Sequence, residues 1–295
     1  MNMPSRVVIT GAGGQVGSFL AAAAARQGRD VLALTSSKWD ITDPVAAGRF
    51  IESGDVVVNC AAYTDVDRAE SDEPAAYAVN VIGPENIARA CARAGARLIH
   101  ISTDYVFSGD FAGSAPRPYE PGDETAPLNV YGRTKLSGEV TVLATLPKAT
   151  VVRTAWVYTG GSGNDFVAAM RRAAAGNGTV EVVDDQTGSP TYVADLAAAL
   201  LEVAGGQVHS PIVHAANQGA VTRFEQACAV FEELGADPQR VRPVKSHHRR
   251  RPARRPAYSA LSSRRSAEAG LSPLRPWRDA LADALAARPL PSTRE

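Results

Sequence analysis

The sequence predicts an α/β fold, a doubly wound parallel sheet followed by a smaller C-terminal domain. Three observations predict it. Short runs nearly continuous in apolar residues recur through the first half, as expected for strands buried on both faces. Ala-rich helical stretches separate those runs, which gives a βαβ series and hence parallel pairing. A glycine-rich turn joins the first run to the first helix.

The strand candidates are RVVIT (6–10), DVLALT (30–35), VVVNCAA (56–62), RLIHIST (97–103) and ATVVRTAWVY (149–158). The helical segments SFLAAAAARQG and PENIARACARAG close on Gly28 and Gly95, both natural helix stops. After Tyr158 the rhythm loosens. A helix near 165–175, a strand at VEVVDD, a helix near 193–204, the run IVHAAN, the helix RFEQACAVFEELG and a terminal helix near 277–287 follow. Residues 1–155 are read as a dinucleotide-binding domain to which later segments return. Residues 156–295 are read mainly as the smaller domain, placed above the carboxyl ends of the strands, where open α/β sheets bind ligands.

Bulk properties exclude several classes. The 295 residues are 45% apolar and 21% charged, which is ordinary for a soluble globular protein. Lys plus Arg and Asp plus Glu are both 31, so net charge points to no partner. Between Pro238 and Ala267, however, lie ten Lys/Arg, two His and no acidic residue, a block suited to a phosphate-bearing ligand. It lacks aromatic interleaving, so nucleic acid is not expected. Cys60, Cys91 and Cys228 show no metal or redox spacing. FLAAAAA (19–25) is too short to span a bilayer and no signal peptide is read, so the expectation is a cytoplasmic protein.

TGAGGQVG (10–17) opens the first helix, with Gly11, Gly14 and Gly17 in one register and Gly13 in an offset one. Such a loop lets backbone N–H groups and a helix N-terminus approach a pyrophosphate, so Gly11, Gly13, Gly14, Gln15, Val16 and Gly17 form the expected dinucleotide cradle of a Rossmann-like fold. The end of the second strand discriminates the dinucleotide. An acidic residue there would accept hydrogen bonds from the adenosine ribose and favour NAD. Thr35, Ser36, Ser37 and Lys38 occupy it instead, which favours NADPH while leaving NADH possible. Asp40 and Ile41 are placed to contact adenine; alternatively Asp40 caps a following helix.

NVYGRTK (129–135) sets Tyr131 four residues before Lys135, one helical turn apart on one face. HISTDYVF (100–107) leaves Ser102 and Thr103 at the carboxyl edge of the fourth strand. A phenol is a poor acid at neutral pH. A neighbouring ammonium and the positive charge of an oxidised nicotinamide would lower its pKa, letting it protonate a carbonyl oxygen as hydride reaches carbon.

With NCAAYTDVDRAE, STDYVF and LNVYGRTKLSGE added to the glycines, the chain resembles an extended short-chain dehydrogenase/reductase. RTAWVY, DDQTGSPTY and RPAYSAL extend the resemblance to the dTDP-4-dehydrorhamnose reductase family, over about residues 6–287. The resemblance implies Tyr131 as general acid, Lys135 on the nicotinamide ribose, and Thr103 polarising the keto oxygen in preference to Ser102. It implies that Ala61, Ala62 and Tyr63 lie beside the cofactor pyrophosphate and riboside, with Asn80 lining the cofactor cleft. Asp104, Val66 and Trp156 are expected at the sugar and Arg255 at the nucleotide diphosphate, with dTDP-4-dehydro-L-rhamnose as substrate. Some relatives bridge a dimer with a metal held by acidic side chains. GSFLAAA and PTYVA offer no carboxylate before Asp195, so structural Mg²⁺ is not favoured, and assembly stands between monomer and homodimer.

Two other readings share the fold. One is a non-catalytic, dinucleotide-binding regulatory subunit of the methionine adenosyltransferase type, which the intact Thr103/Tyr131/Lys135 set opposes. The other is a nucleotide-sugar epimerase or dehydratase, for which the absence of a Glu after Asp104 and the Thr35–Lys38 segment are adverse.

Overall fold

A computed structural model describes residues 6–161 and 163–287. In chain order it holds β1 (Val7–Thr10), α1 (Gln15–Arg26), β2 (Val31–Leu34), β3 (Val56–Asn59), α2 (Val66–Ala69), α3 (Glu73–Tyr77), α4 (Gly83–Ala94), β4 (Arg97–Thr103), α5 (Val130–Thr145) and β5 (Thr150–Thr154). There follow β6 (Val157–Tyr158), α6 (Phe166–Ala175), β7 (Val180–Val183), β8 (Thr187–Gly188), β9 (Thr191–Tyr192), α7 (Val193–Ala204) and β10 (Ile212–His214). The last elements are β11 (Val221–Thr222), α8 (Arg223–Glu233), β12 (Val241–Val244), α9 (Arg264–Glu268) and α10 (Trp277–Ala286).

The β1 and β3 runs are buried along their whole length and form the centre of a six-stranded parallel sheet, ordered β2-β1-β3-β4-β5-β10. Alternating side chains serve opposite faces. Val7, Ile9, Val56 and Val58 meet Leu20 and Ala24 of α1 and Leu196, Leu200 and Leu201 of α7. Val8, Val57 and Leu98 meet Ile87, Ala88 and Cys91 of α4 and Val142 of α5. Helices thus cover both faces, as continuous apolar strands require. Strand order reverses between β1 and β3, so a crevice opens at their carboxyl ends, where Thr10 and Asn59 are register partners.

The later chain returns to this sheet through α7 and β10. Its remaining elements build a second core, in which Val167 and Met170 of α6, Val230 and Phe231 of α8, and Leu281 and Ala284 of α10 pack on Val182 and Val241 of the paired β7 and β12. Among the described residues no helix is long and apolar enough to cross a membrane.

Two local expectations change. The run 149–158 is not one strand: the backbone turns at Trp156, with φ +46°, and β6 leaves the sheet to pair with β9. Apolar β-formers run on through the break and hide it. Asp40 caps no helix; its Oδ1 accepts from the backbone and hydroxyl of Thr42 in an Asx turn, at 2.9 and 2.8 Å.

Candidate active site

The turn from β1 into α1 is shaped for an anion. Gly14 caps α1 without a side-chain hydrogen bond and the first turn carries no acid, so the N-terminal amides are unmasked. Gly11 sits at φ +62°, where a Cβ would lie 2.7 Å from the Ala61 amide nitrogen, and a Cβ on Gly17 would lie 2.4 Å from the Gly11 carbonyl oxygen. Only glycines let these backbones approach so closely. Gln15 reaches towards Asp165, its Nε2 donating at 3.3 Å, while Val16 packs into the core, so both face the cradle by backbone. The bare donors fit the pyrophosphate of a dinucleotide.

The predicted neighbours of that cradle converge. Thr35 adjoins it, its methyl 3.5 Å from where a Gly13 Cβ would stand, and its hydroxyl pairs with Ser37 at 2.9 Å. Ser36, Ser37 and Lys38 are exposed and Ile41 is buried. The Asn86 amide holds the Ile41 and Thr42 carbonyls at 3.1 and 3.2 Å, which fixes the loop beyond. Ala61 caps the end of β3, its amide donating to Asn59 Oδ1 at 3.1 Å. Asn80 is fully buried, so it acts from behind the cleft rather than lining it. Its Oδ1 accepts from the Tyr63 amide at 2.9 Å, and its Nδ2 donates to the Tyr63 carbonyl at 3.2 Å and to Thr134 Oγ1 at 3.1 Å. It clamps the 61–63 loop to α5 from a π-helical turn, Ala78–Ile82, a rare form concentrated at functional sites.

Helix α5 starts where Asn129 caps it, Oδ1 accepting from Gly132 N at 2.7 Å and Nδ2 donating to the Arg254 carbonyl at 2.7 Å. Tyr131 and Lys135 therefore lie on one face against the end of β4. The Tyr131 hydroxyl lies next to the Thr103 hydroxyl, and Lys135 Nζ donates to the Ile101 carbonyl at 2.7 Å. Ser102 points to the other side of the strand, as the two-residue period demands, and its hydroxyl has no partner among the described residues. A turn further along α5, Glu139 makes a buried fork with Arg153 of β5, at 2.9 and 2.7 Å, which locks the helix to the sheet.

Burial governs the protonation of this group. It holds the Lys135 ammonium down to about 8, against the opposing charge of Glu139. Burial also raises the Tyr131 phenol well above its ordinary value, outweighing the lowering by the neighbouring Thr103 hydroxyl. The expectation that lysine depresses the phenol is thus not met by the protein alone, because desolvation is the larger effect. Asp104 is pushed up to about 6 by burial, although Thr103 donates to its Oδ1 at 3.1 Å and Ser259 to its Oδ2 at 2.5 Å.

From Tyr131 the site continues through Tyr105, whose ring meets it edge-on at 5.8 Å, into a cavity of about 850 Å³. Val66 opens α2 and is half-buried, and Trp156 stands beyond β5. Arg255 lines the cavity, but its guanidinium forks onto Asp67 at 2.5 and 2.8 Å. Arg223 also lines it and was not signalled by any motif; its guanidinium lies 3.5 Å from the centroid of the Trp156 ring. A second cavity, about 960 Å³, includes Arg117 and Arg264, which pair with Asp123 and Glu120; it shares no residue with the Tyr131 group. Chemistry, not volume, selects the first.

Comparison with known proteins agrees with this geometry. The family model described as RmlD substrate binding domain matches residues 5–289. A dTDP-4-dehydrorhamnose reductase of Mycobacterium tuberculosis is 70% identical over 298 residues, covering 98% of this chain and 98% of its own. The crystal structure of a dTDP-4-dehydrorhamnose reductase from Bacillus anthracis in complex with NADP superposes with TM-score 0.88 at 34% identity, covering 96% of this chain and 99% of its own. A reductase of the same description from Clostridium acetobutylicum gives TM-score 0.89 at 36% identity, covering 95% and 98%. The glycine cradle, the β4 edge and the α5 tyrosine thus fall within a match that spans nearly the whole chain, and the chain belongs to the RmlD substrate-binding-domain family.

Proposed function

We propose that the chain reduces the C4 ketone of dTDP-4-dehydro-L-rhamnose to dTDP-L-rhamnose, the last step in making that nucleotide sugar for surface polysaccharide. The observation that carries this reading is the meeting of Thr103, Tyr131 and Lys135 at the carboxyl end of β4, between the unmasked N-terminus of α1 and the arginine-lined cavity. NADPH, when bound, supplies the hydride. The Thr35–Lys38 turn supports the phosphorylated dinucleotide, since it sets hydroxyls and an ammonium where a carboxylate would repel a 2′-phosphate.

Each residue has a defined task. The Tyr131 phenol gives its proton to the keto oxygen as carbon receives hydride, and takes one back from solvent afterwards. Thr103 turns its hydroxyl from Asp104 to the same oxygen. Lys135 holds the ribose hydroxyls and offsets the developing phenolate. Asp104 and Val66 border the sugar, and Trp156 covers its apolar face. Residues 1–155 serve mainly the cofactor and residues 156–295 mainly the nucleotide sugar, in a cytoplasmic monomer or homodimer acting without nucleic acid or membrane.

The test mixes NADPH, the purified chain and the keto sugar generated in situ by the upstream dehydratase and epimerase. Loss of nicotinamide absorbance that needs both chain and sugar, with dTDP-L-rhamnose as product, is the expected outcome. NADPH binding without such loss would favour the regulatory-subunit reading.

A further inference from the structure

We infer that Arg223, at the head of α8, is the residue that grips the substrate's diphosphate, and that its stack on Trp156 ties that grip to the sugar site; the inference rests on the nucleotide-sugar reading above. Six arginines line the cavity: Arg223, Arg249, Arg250, Arg251, Arg254 and Arg255. Most of the positive charge near its inner end is already committed. Arg255 forks onto Asp67, Arg251 lies 3.7 Å from the same carboxylate, and Arg249 pairs with Glu181 at 3.2 Å. Arg250 and Arg254 have exposed side chains.

Arg223 differs from all of these. Among the described residues no carboxylate lies within salt-bridge distance of it, and its only side-chain hydrogen bond is from Nη1 to Gln226 Oε1, at 3.1 Å. Its plane is held between two aromatic rings, 3.5 Å from the Trp156 centroid and 4.9 Å from that of Phe166. Stacking fixes the guanidinium without using its N–H groups, and leaves a planar fork matched to phosphate oxygens. A cation in the first turn of a helix also opposes the helix dipole, so local stability does not explain its choice. Burial among those rings holds the guanidinium down to about 10, still charged at neutral pH. Asp104 is the carboxylate whose charge reaches it, but the two form no ion pair, and a cation without a direct partner at the wall of a cavity is costly unless an anion joins it.

The stack has a second consequence. Trp156 holds a left-handed backbone conformation, which for a bulky residue is strained and is kept only where surrounding structure determines it. Arg223 covers one face of that indole. The same side chain that meets the diphosphate therefore also holds the indole in place.

The experiment is calorimetric titration of dTDP into the full chain saturated with NADP⁺, comparing wild type with Arg223→Met and Arg223→Lys. Because dTDP carries no deoxyhexose to rest on Trp156, the titration reads the anion contact and not the indole. The methionine variant should bind dTDP about ten- to a hundredfold more weakly, with NADP⁺ affinity unchanged. The lysine variant should fall between, since it keeps charge but loses stack and fork. Wild-type affinity in the methionine variant overturns the assignment; should that variant fail to fold, wild-type affinity in the lysine variant does so. A wild-type chain that binds no dTDP also overturns it. Dependence of dTDP binding on Arg223, in a chain that reduces no sugar, would sink the reductase reading and leave this one standing.

Discussion

The glycine-loop side of the cleft is made mostly of backbone, whereas the arginine-lined side is made of long side chains drawn from distant segments. The first is the β1–α1 turn, the end of β3 and the 61–63 loop, brought together by register pairs and by the Asn80 clamp. The second is Tyr105, Trp156, Arg223 and Arg255, supplied by four segments and held by stacking and charge. A backbone site depends on the absence of side chains, so adding a methyl harms it. A side-chain site depends on balance of charge, so removing one partner exposes the other.

Four predictions separate the two, and they run from large to small. Tyr131→Phe, at the junction, removes the proton donor and should lower kcat about a thousandfold while NADPH affinity, measured by fluorescence titration, stays as in wild type. Gly17→Val should weaken NADPH binding by about a hundredfold, since the new side chain meets the Gly11 carbonyl; unchanged binding would mean the turn has slack that the geometry denies.

Next comes pH. Lys135 is held down to about 8, so its ammonium is lost as pH rises through that value, and kcat/KM should then fall by up to about tenfold per pH unit. The limb belongs to the coupled Tyr131–Lys135 pair, and the check is its movement in Glu139→Gln, which withdraws the charge that opposes lysine deprotonation and should shift the limb to lower pH. The smallest effect is on the arginine-lined side. Asp67→Asn breaks the Arg255 fork and should cost no more than about 1 kcal/mol in thermal unfolding, because the pair is partly exposed. Arg255 holds the Asp67 carboxyl below its ordinary range, so wild type loses this contribution as pH falls through the acid range. The asparagine variant should not.

The same contrast decides what could be read in advance. Strands β1 to β4 and the glycine cradle were legible because their signals are local: continuous apolar runs, and glycines at a strand-to-helix junction. The pairing of Tyr131 with Lys135 follows from helical spacing alone. Asn80 was placed in the cleft, yet its amide is spent on Tyr63 and Thr134; sequence shows an amide but not which side of a loop it holds. The turn at Trp156 was hidden because no glycine or proline marks it. The resemblance carried by RPAYSAL points to Arg255 for the diphosphate, but a motif does not reveal pairing in space, and Asp67 is far off in the chain. Arg223 was missed because Thr222 and Glu225 form a capping box, so the segment reads as an ordinary helix start. The one available signal was the arginine itself, a cation where the first turn favours an acid.

In the proposed reaction the keto carbon faces the nicotinamide while its oxygen faces Tyr131 and Thr103. The direct measurement is transfer of label: NADPH deuterated at the hydride-donating carbon is turned over with the keto sugar, and the product is examined by mass spectrometry and proton NMR. Deuterium at C4 of the dTDP-L-rhamnose formed is the result expected of this geometry. Label at another carbon, or NADPH consumed with none on the sugar, would contradict it.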